Sequence, residues 1–203
     1  MELYIVRHGR TLWNVQRRMQ GQMDIPLDEE GRKAAELTAR ALSGLQIDRC
    51  ISSPLSRALE TARILLGPRN VPIETDRRIM EISFGIYEGL SRFDPRWPCP
   101  GKEQHYFRDD PVLYRPPQGG ESFGALLERT GRFLDSLDKN STDTVLVSTH
   151  GTAMRALLAH ICHRSLGEFW YTGVPANCAV AHIVSHGNAW EQTEEEKTFY
   201  EDI

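Results

Sequence analysis

The sequence predicts an α/β layered fold with a largely parallel sheet. Three observations carry that expectation. Strand and helix signals alternate along the chain. The short apolar runs Leu3-Tyr4-Ile5-Val6 and Val145-Leu146-Val147 have the near-continuous hydrophobicity of strands covered on both faces. Both runs also end alike, in His8-Gly9 and His150-Gly151. Ligands of open α/β sheets bind beyond the carboxyl ends of the strands. The two imidazoles are therefore expected at one rim of the sheet, with Arg7 beside the first and each Gly letting backbone approach a ligand.

The remaining elements follow in order. A polar segment runs to Leu27, and Asp28 is the expected N-cap of a helix from Glu29 to Leu42. A strand covers Asp48 to Ser52. Ser53 as N-cap and Pro54 at the first helical position then open a helix, with Leu55, Ala58, Leu59, Ala62, Leu65 and Leu66 at helical spacing. A short strand is expected at Val71 to Glu74. Residues 89–120 break the pattern: six prolines are interleaved with Trp97, Tyr106, Phe107 and Tyr114. A stretch of that length reads as a lid or a partly helical insertion. A helix from Ser122 to Leu137, the second His-Gly strand and a helix from Thr152 to Cys162 come next. The last apolar strand, Ala179 to Val184, leads into His186-Gly187-Asn188, which is hairpin chemistry, so His186 is read as an exposed turn residue. The acidic tail, 191–203, is expected to fray.

At 203 residues the chain suits one well-buried core, and residues 1–203 are read as a single domain. A hydrophobic content of 40% with 26% charged residues belongs to an ordinary globular protein. A formal net charge of −4 argues against a nucleic-acid or anionic-membrane partner, both of which need a basic face. An anionic substrate would need a local basic pocket. No signal-peptide pattern and no run of roughly 20 apolar residues is present. Cys50, Cys99, Cys162 and Cys178 form no C-x-x-C pair and read as reduced thiols, so a cytoplasmic location is expected.

Arg57 conflicts with local physics, because a cation in the first turn of a helix faces the positive end of its dipole. One explanation is an i,i+3 pair with Glu60. The other is that Arg57 and the helix start both address a bound anion. Arg7, His8, Arg57 and His150 together make the second explanation chemically specific. A phosphoryl group needs fixed cations around its oxygens and a nucleophile in line, and an imidazole can be that nucleophile. A proton donor for the leaving oxygen is then required. Glu81, between apolar sequence and a Gly-containing turn, is the first candidate and Glu88 its competitor.

These residues lie in blocks that resemble the histidine phosphatase superfamily, the phosphoglycerate mutase-like family. The blocks are Arg7-His8-Gly9-x-Thr11-x-x-Asn14, Gln20-Gly21-x-x-Asp24-x-Pro26-Leu27, Ser53-Pro54-Leu55-x-Arg57-Ala58-x-x-Thr61-Ala62, Glu81-x-x-Phe84-Gly85-x-x-Glu88-Gly89, Gly119-Gly120-Glu121-Ser122 and His150-Gly151. They fall in the family's order and span nearly the whole chain. The resemblance implies a three-layer α/β/α sandwich and a metal-independent reaction without cofactor. It implies that His8 becomes phosphorylated, that Arg7, Arg57 and His150 form the phosphate pocket, and that Asn14 and the backbone at Gly151 add donors. Glu81 would protonate the leaving alkoxide and then activate water. Gln20 would touch phosphate or substrate, and Asn177 matches a position near the pocket. On this scheme His8 attacks unprotonated, while bound phosphate favours a charged His150. Glu81 must arrive protonated.

Two departures bear on specificity. Arg10 stands where many relatives carry Glu, adding a cation at the expected pocket mouth that would suit a second anionic group. Gln118 before Gly119-Gly120, with the unusual Arg92–Gln104 segment, is the other, and substrate choice is expected to lie in that lid, with Arg92, Arg96, Lys102, His105, Arg108 and Arg115. The leading reading is a phosphomonoesterase acting on a small phosphorylated metabolite, such as a sugar phosphate, phosphoglycerate, phosphoserine or α-ribazole phosphate. Phosphoglycerate mutase-type transfer is the nearest alternative. Mutases of the family have a longer insertion after the acid than the stretch from Glu81 to Ser122, which favours hydrolysis here. A non-catalytic phosphate or phosphoprotein binder would be expected to lack one of His8, Arg57, Glu81 and His150. A metal site at His160-x-x-His163 with Cys162 has suitable helical spacing but no evident partner pair. The sequence leaves the oligomeric state open.

Overall fold

A computed structural model describes residues 1–91, 94, 107–187 and 189–200. Six strands form one mixed sheet: β1 (Glu2–Arg7), β2 (Arg49–Ser52), β3 (Ile73–Thr75), β4 (Thr144–Thr149), β5 (Val180–His186) and β6 (Ala189–Lys197), in the order β3-β2-β4-β1-β5-β6. The pairs β3–β2, β2–β4 and β4–β1 are parallel, whereas β5 runs antiparallel to β1 and β6 antiparallel to β5.

Side chains alternate across the sheet and split the core into two layers. Leu3, Ile5, Ile51, Val145, Val147, Ala181 and Ile183 pack with Phe133, Leu134, Met154 and Leu157, which come from α4 (Phe123–Asp135) and α5 (Gly151–Ile161). Val6, Cys50, Leu146 and Val180 pack on the other face with Leu42, Ala62, Leu65 and Leu66, beside α2 (Glu29–Ala41) and α3 (Ser56–Leu66). The short α1 (Leu12–Val15) follows β1. A third cluster joins Ile82, Phe84, Tyr114, Phe123, Ala153, Ala156 and Phe169, where the described part of the lid meets α4 and α5.

Most expected elements are present within a residue or two, and Asp28 caps α2, accepting from the Gly31 N–H at 2.7 Å. Two expectations need correction. Helix α3 starts at Ser56, with Leu55 at the cap position and no side-chain cap there. The Ser53 hydroxyl pairs with His150 at 2.7 Å and takes only a long bond, 3.4 Å, from the Leu55 N–H, and the Ser56 N–H finds its acceptor in Asp24 Oδ1 at 2.7 Å. The tail does not fray from Glu191: residues Ala189–Lys197 form β6, tied to the core by a buried ion pair between Arg155 and Glu196. The glycines after the two histidines also serve internal packing. A Cβ at Gly9 would lie 2.6 Å from the Gly31 carbonyl oxygen, and one at Gly151 would lie 3.0 Å from Val174 Cγ1. His186 ends β5 at the hairpin, exposed and beside Glu191 at 3.2 Å. Cys50, Cys162 and Cys178 are free thiols, while Cys99, Arg92, Arg96, Lys102 and His105 lie outside the described residues. No described helix is long and apolar enough to cross a membrane.

Candidate active site

Parallel register builds the rim. Arg7 is paired with Thr149 across β1 and β4, so His8 and His150 are the next residue out on each strand. The His8 N–H donates to Thr149 O at 2.9 Å, and the two rings lie 5.1 Å apart, tilted by 59°. Strand β2 ends on the far side of β4, where Ser52 pairs with Ser148 and the Ser53 N–H donates to Ser148 O at 2.9 Å. Three adjacent strand ends thus present Ser53, His150 and His8 in sequence.

The tautomer of His8 follows from one contact. Its Nδ1 lies 2.7 Å from the Gly9 carbonyl oxygen. A carbonyl only accepts, so Nδ1 carries the proton and Nε2 keeps a lone pair. The ring is 2% exposed. Burial, and then the charges of Arg57 and Arg7, hold its pKa well below the ordinary 6.5, which leaves it neutral at physiological pH. The backbone of this turn is clamped from two sides. Asn177 Nδ2 donates to His8 O at 3.0 Å, and the Gly9 N–H donates to Thr61 Oγ1 at 2.9 Å.

Arg57 does not pair with Glu60, whose carboxylate takes Arg32 at 2.6 Å. Arg57 is fully buried. Its Nη1 and Nη2 donate to Met23 O and Gly21 O, each at 2.7 Å, and its Nε donates to His150 Nδ1 at 3.2 Å. Burial lowers its pKa to about 10, against the opposing pull of Glu81 and Asp24, so it remains a cation at neutral pH. Arg7 Nη1 donates to Pro175 O, while its Nε is buried without a partner among the described residues. Arg7 is also held below its usual pKa by burial, with Glu81 opposing.

Glu81 follows a 3₁₀ turn at Arg77–Ile79 and is 9% exposed. Its Oε2 accepts from the Thr152 N–H at 3.1 Å, and Oε1 accepts from Ala153 at 3.1 Å and Ile82 at 3.0 Å. The carboxylate thus sits on the opening turn of α5, next to His150, and leaves Gly151 as the remaining helix-opening donor. Glu88 occupies a different place. Its Oε1 accepts from the Gln22 N–H at 2.9 Å, the Phe84 N–H at 3.0 Å and Ser83 Oγ at 3.3 Å, fastening the Gln20–Gln22 turn to the Ser83–Phe84 turn.

Asn14 Oδ1 accepts from both the N–H and the hydroxyl of Thr11 at 3.0 Å, so Nδ2 is the atom with which it can address an anion. Gln20 is 8% exposed, with Oε1 unpartnered among the described residues. Arg10 is joined to Asp28 at 2.9 Å and lines a cavity of about 270 Å³ with Arg7, Asn177 and Tyr200. Without a bound anion, burial and then the neighbouring Arg57, His8, Arg129 and Arg7 hold the His150 pKa well below 6.5 and keep the ring neutral. His160, of the His160-x-x-His163 spacing set aside as a metal site, is bonded to Leu127, whose carbonyl oxygen accepts at 2.7 Å.

Sequence reasoning missed the supports behind these groups. Arg129 binds Glu121 through Nε at 2.6 Å and donates from Nη2 to Glu81 O at 3.0 Å, where Gln22 Nε2 also donates at 3.1 Å. On α4 it looked like any solvated helix cation, and nothing local distinguishes it. Ser53 was read as a cap because Ser-Pro is a common helix opening.

A model of the histidine phosphatase superfamily (branch 1) matches residues 3–197. Phosphoserine phosphatase 1 of Hydrogenobacter thermophilus is 31% identical over 190 residues, covering 93% of this chain and 89% of the relative. A protein named probable phosphoglycerate mutase GpmB, from Yersinia pestis, is 32% identical over 204 residues, covering 94% and 87%. The solved structure of Bacillus stearothermophilus YhfR superposes with a TM-score of 0.90 at 35% identity, covering 96% of each chain.

Proposed function

The chain belongs to the histidine phosphatase superfamily (branch 1), and on that premise we propose that it hydrolyses a small phosphomonoester through a phosphohistidine on His8. The observation that carries the proposal is the His8 tautomer: the Nδ1–H bond to Gly9 O at 2.7 Å leaves Nε2 as a neutral nucleophile, at a rim it shares with two guanidinium groups. Similarity to a phosphoserine phosphatase favours hydrolysis.

In the proposed reaction Arg7, Arg57 and His150 hold the phosphoryl oxygens, with Asn14, Gln20 and the Gly151 N–H as further donors. Asn177 acts by fixing the His8 carbonyl. His8 Nε2 attacks phosphorus in line while Glu81 donates a proton to the departing oxygen. Glu81 then takes a proton from water, which cleaves the phosphorus–nitrogen bond and returns His8 to its starting form. The cations are supplied by the chain, so turnover is expected to survive a chelator. Similarity to a named phosphoglycerate mutase supports the second reading, transfer of the phosphoryl group to another hydroxyl.

The test is phosphate release from a panel of small phosphomonoesters with chelator present, comparing wild type with His8→Ala. Release that disappears in the variant is the expected result. Stimulation of phosphoglycerate isomer exchange by bisphosphorylated glycerate, faster than phosphate release, would overturn hydrolysis in favour of the mutase.

A further inference from the structure

His150 is hydrogen-bonded at both ring nitrogens, and only one arrangement of its proton satisfies both. Arg57 Nε, a donor with no acceptor capacity, faces Nδ1 at 3.2 Å. Nδ1 must therefore be the acceptor, and the proton resides on Nε2. Nε2 lies 2.7 Å from Ser53 Oγ, with both side chains fully buried. Ser53 is held in turn at its strand end: its N–H donates to Ser148 O at 2.9 Å on the strand that leads into His150, and its Oγ also accepts from the Leu55 N–H at 3.4 Å.

On the phosphatase reading, we propose that Ser53 is a positioning residue: it holds the His150 proton on Nε2, so the proton taken up when phosphate enters lands on Nδ1, facing the anion. The step balances simply. A phosphate oxygen takes the Arg57 Nε–H in place of His150 Nδ1. The freed Nδ1 lone pair binds one proton from solvent and donates it to the same anion. The surroundings set the direction of this coupling. Arg57 on α3, Arg7 and His8 at the end of β1, and Arg129 on α4 all oppose a charge on His150, and the Glu81 carboxylate is already occupied by the first N–H groups of α5. A dianion is what reverses the balance. Ser53 then accepts a charge-assisted bond from Nε2, which is stronger than the neutral one.

Two measurements on the full chain test this. In protein labelled with ¹⁵N-histidine, His150 is expected to show an unprotonated Nδ1 at neutral pH and to become doubly protonated when inorganic phosphate is added. Calorimetric titration with inorganic phosphate at about pH 8, where the ligand is mostly a dianion, is expected to show proton uptake approaching one per site when buffers of different ionisation heat are compared. In Ser53→Ala the uptake falls to about half and the alkaline limb of phosphate binding moves down by roughly one pH unit, the scale of a hydrogen bond to a charged group. Ser53→Thr, which keeps the hydroxyl, restores both. A protonated Nδ1 in unliganded wild type overturns the proposal, and that spectrum needs no variant to fold. Unchanged uptake and pH dependence in Ser53→Ala also overturn it. Wild type that binds no phosphate would instead overturn the phosphatase reading, whereas the tautomer would still report whether Ser53 holds the proton.

Discussion

His8 Nδ1 donates to the carbonyl of the next residue, Gly9, at 2.7 Å, so the ring of the proposed nucleophile is oriented by its own backbone rather than by a carboxylate. Among the described residues no acidic partner raises its basicity, and burial beside Arg57 and Arg7 lowers it. The acid limb of kcat/KM is therefore expected well below 6.5, with no loss of activity near the ordinary histidine pKa. His8→Ala should reduce kcat/KM by at least about 10³-fold. Quenched-flow trapping with a labelled phosphomonoester should find an acid-labile phosphoenzyme in wild type and none in the variant.

Two buried neutral histidines also tie stability to pH. Both His8 and His150 have folded pKa values below that of the unfolded chain. Below 6.5 the unfolded chain therefore binds more protons, and stability is lost as pH drops through the window between 6.5 and the folded values. Above 6.5 both forms are neutral and this contribution is complete. The slope approaches about 1.4 kcal/mol per pH unit for each histidine. Urea unfolding across that range should show the slope in wild type and a smaller one in His8→Asn/His150→Asn.

Glu81→Gln keeps the shape of the group on α5 but removes its proton chemistry. The expected loss is about 10² to 10⁴-fold in kcat, with a smaller change in KM. Esters with a good leaving group, such as p-nitrophenyl phosphate, should be the least affected in the phosphorylation step. Equal losses on good and poor leaving groups in single-turnover assays would remove Glu81 from the role of acid.

Arg155 and Glu196 join α5 to β6 with both side chains buried, 2% and 5% exposed, and Arg155 Nε also donates to Gly173 O at 2.6 Å. Removing one partner strands a buried charge. Arg155→Met is expected to cost about 3–5 kcal/mol. The double variant with Glu196→Met should be less destabilised than the sum of the two single changes, as read by denaturant midpoints.

Arg108 follows Phe107, whose ring packs 5.2 Å from Phe84 and 5.1 Å from Phe123 and whose carbonyl accepts from Trp170 Nε1 at 2.6 Å. This anchored turn brings the Arg108 charge near enough to depress Arg7. Arg108→Glu should therefore raise KM for phosphoserine, which carries a carboxylate, by about five- to tenfold. The KM for p-nitrophenyl phosphate should change less, and a steady-state comparison of the two esters decides it.

Short, near-continuous apolar runs made the main strands legible, and apolar residues at helical spacing with recognisable openings made the helices legible. His8, Arg57, Glu81 and His150 stood out because their types and positions conflicted with a purely structural role. Ser53 could be found but not interpreted: its hydroxyl satisfies a helix-opening pattern in the sequence, and only the adjacency of β2 and β4 gives it to His150. Arg129 could not be found at all, since its contact with the Glu81 carbonyl joins residues 48 positions apart. The protonation state of His150 depended on burial that no local pattern encodes. Likewise, the acidic run after Glu191 resembled a solvated tail because its one buried carboxylate, Glu196, looks like its exposed neighbours.

That run has a further consequence as the outermost strand. The sheet ends in β3, three residues long, on one side and in β6, nine residues long, on the other. A long free edge is a template onto which another chain can add by main-chain pairing. Here Glu191, Glu194 and Glu195 lie along it and are exposed. A second copy laid against the same edge would bring carboxylates against carboxylates. The acidic composition of the C-terminal strand thus guards the sheet against self-templated growth into aggregates.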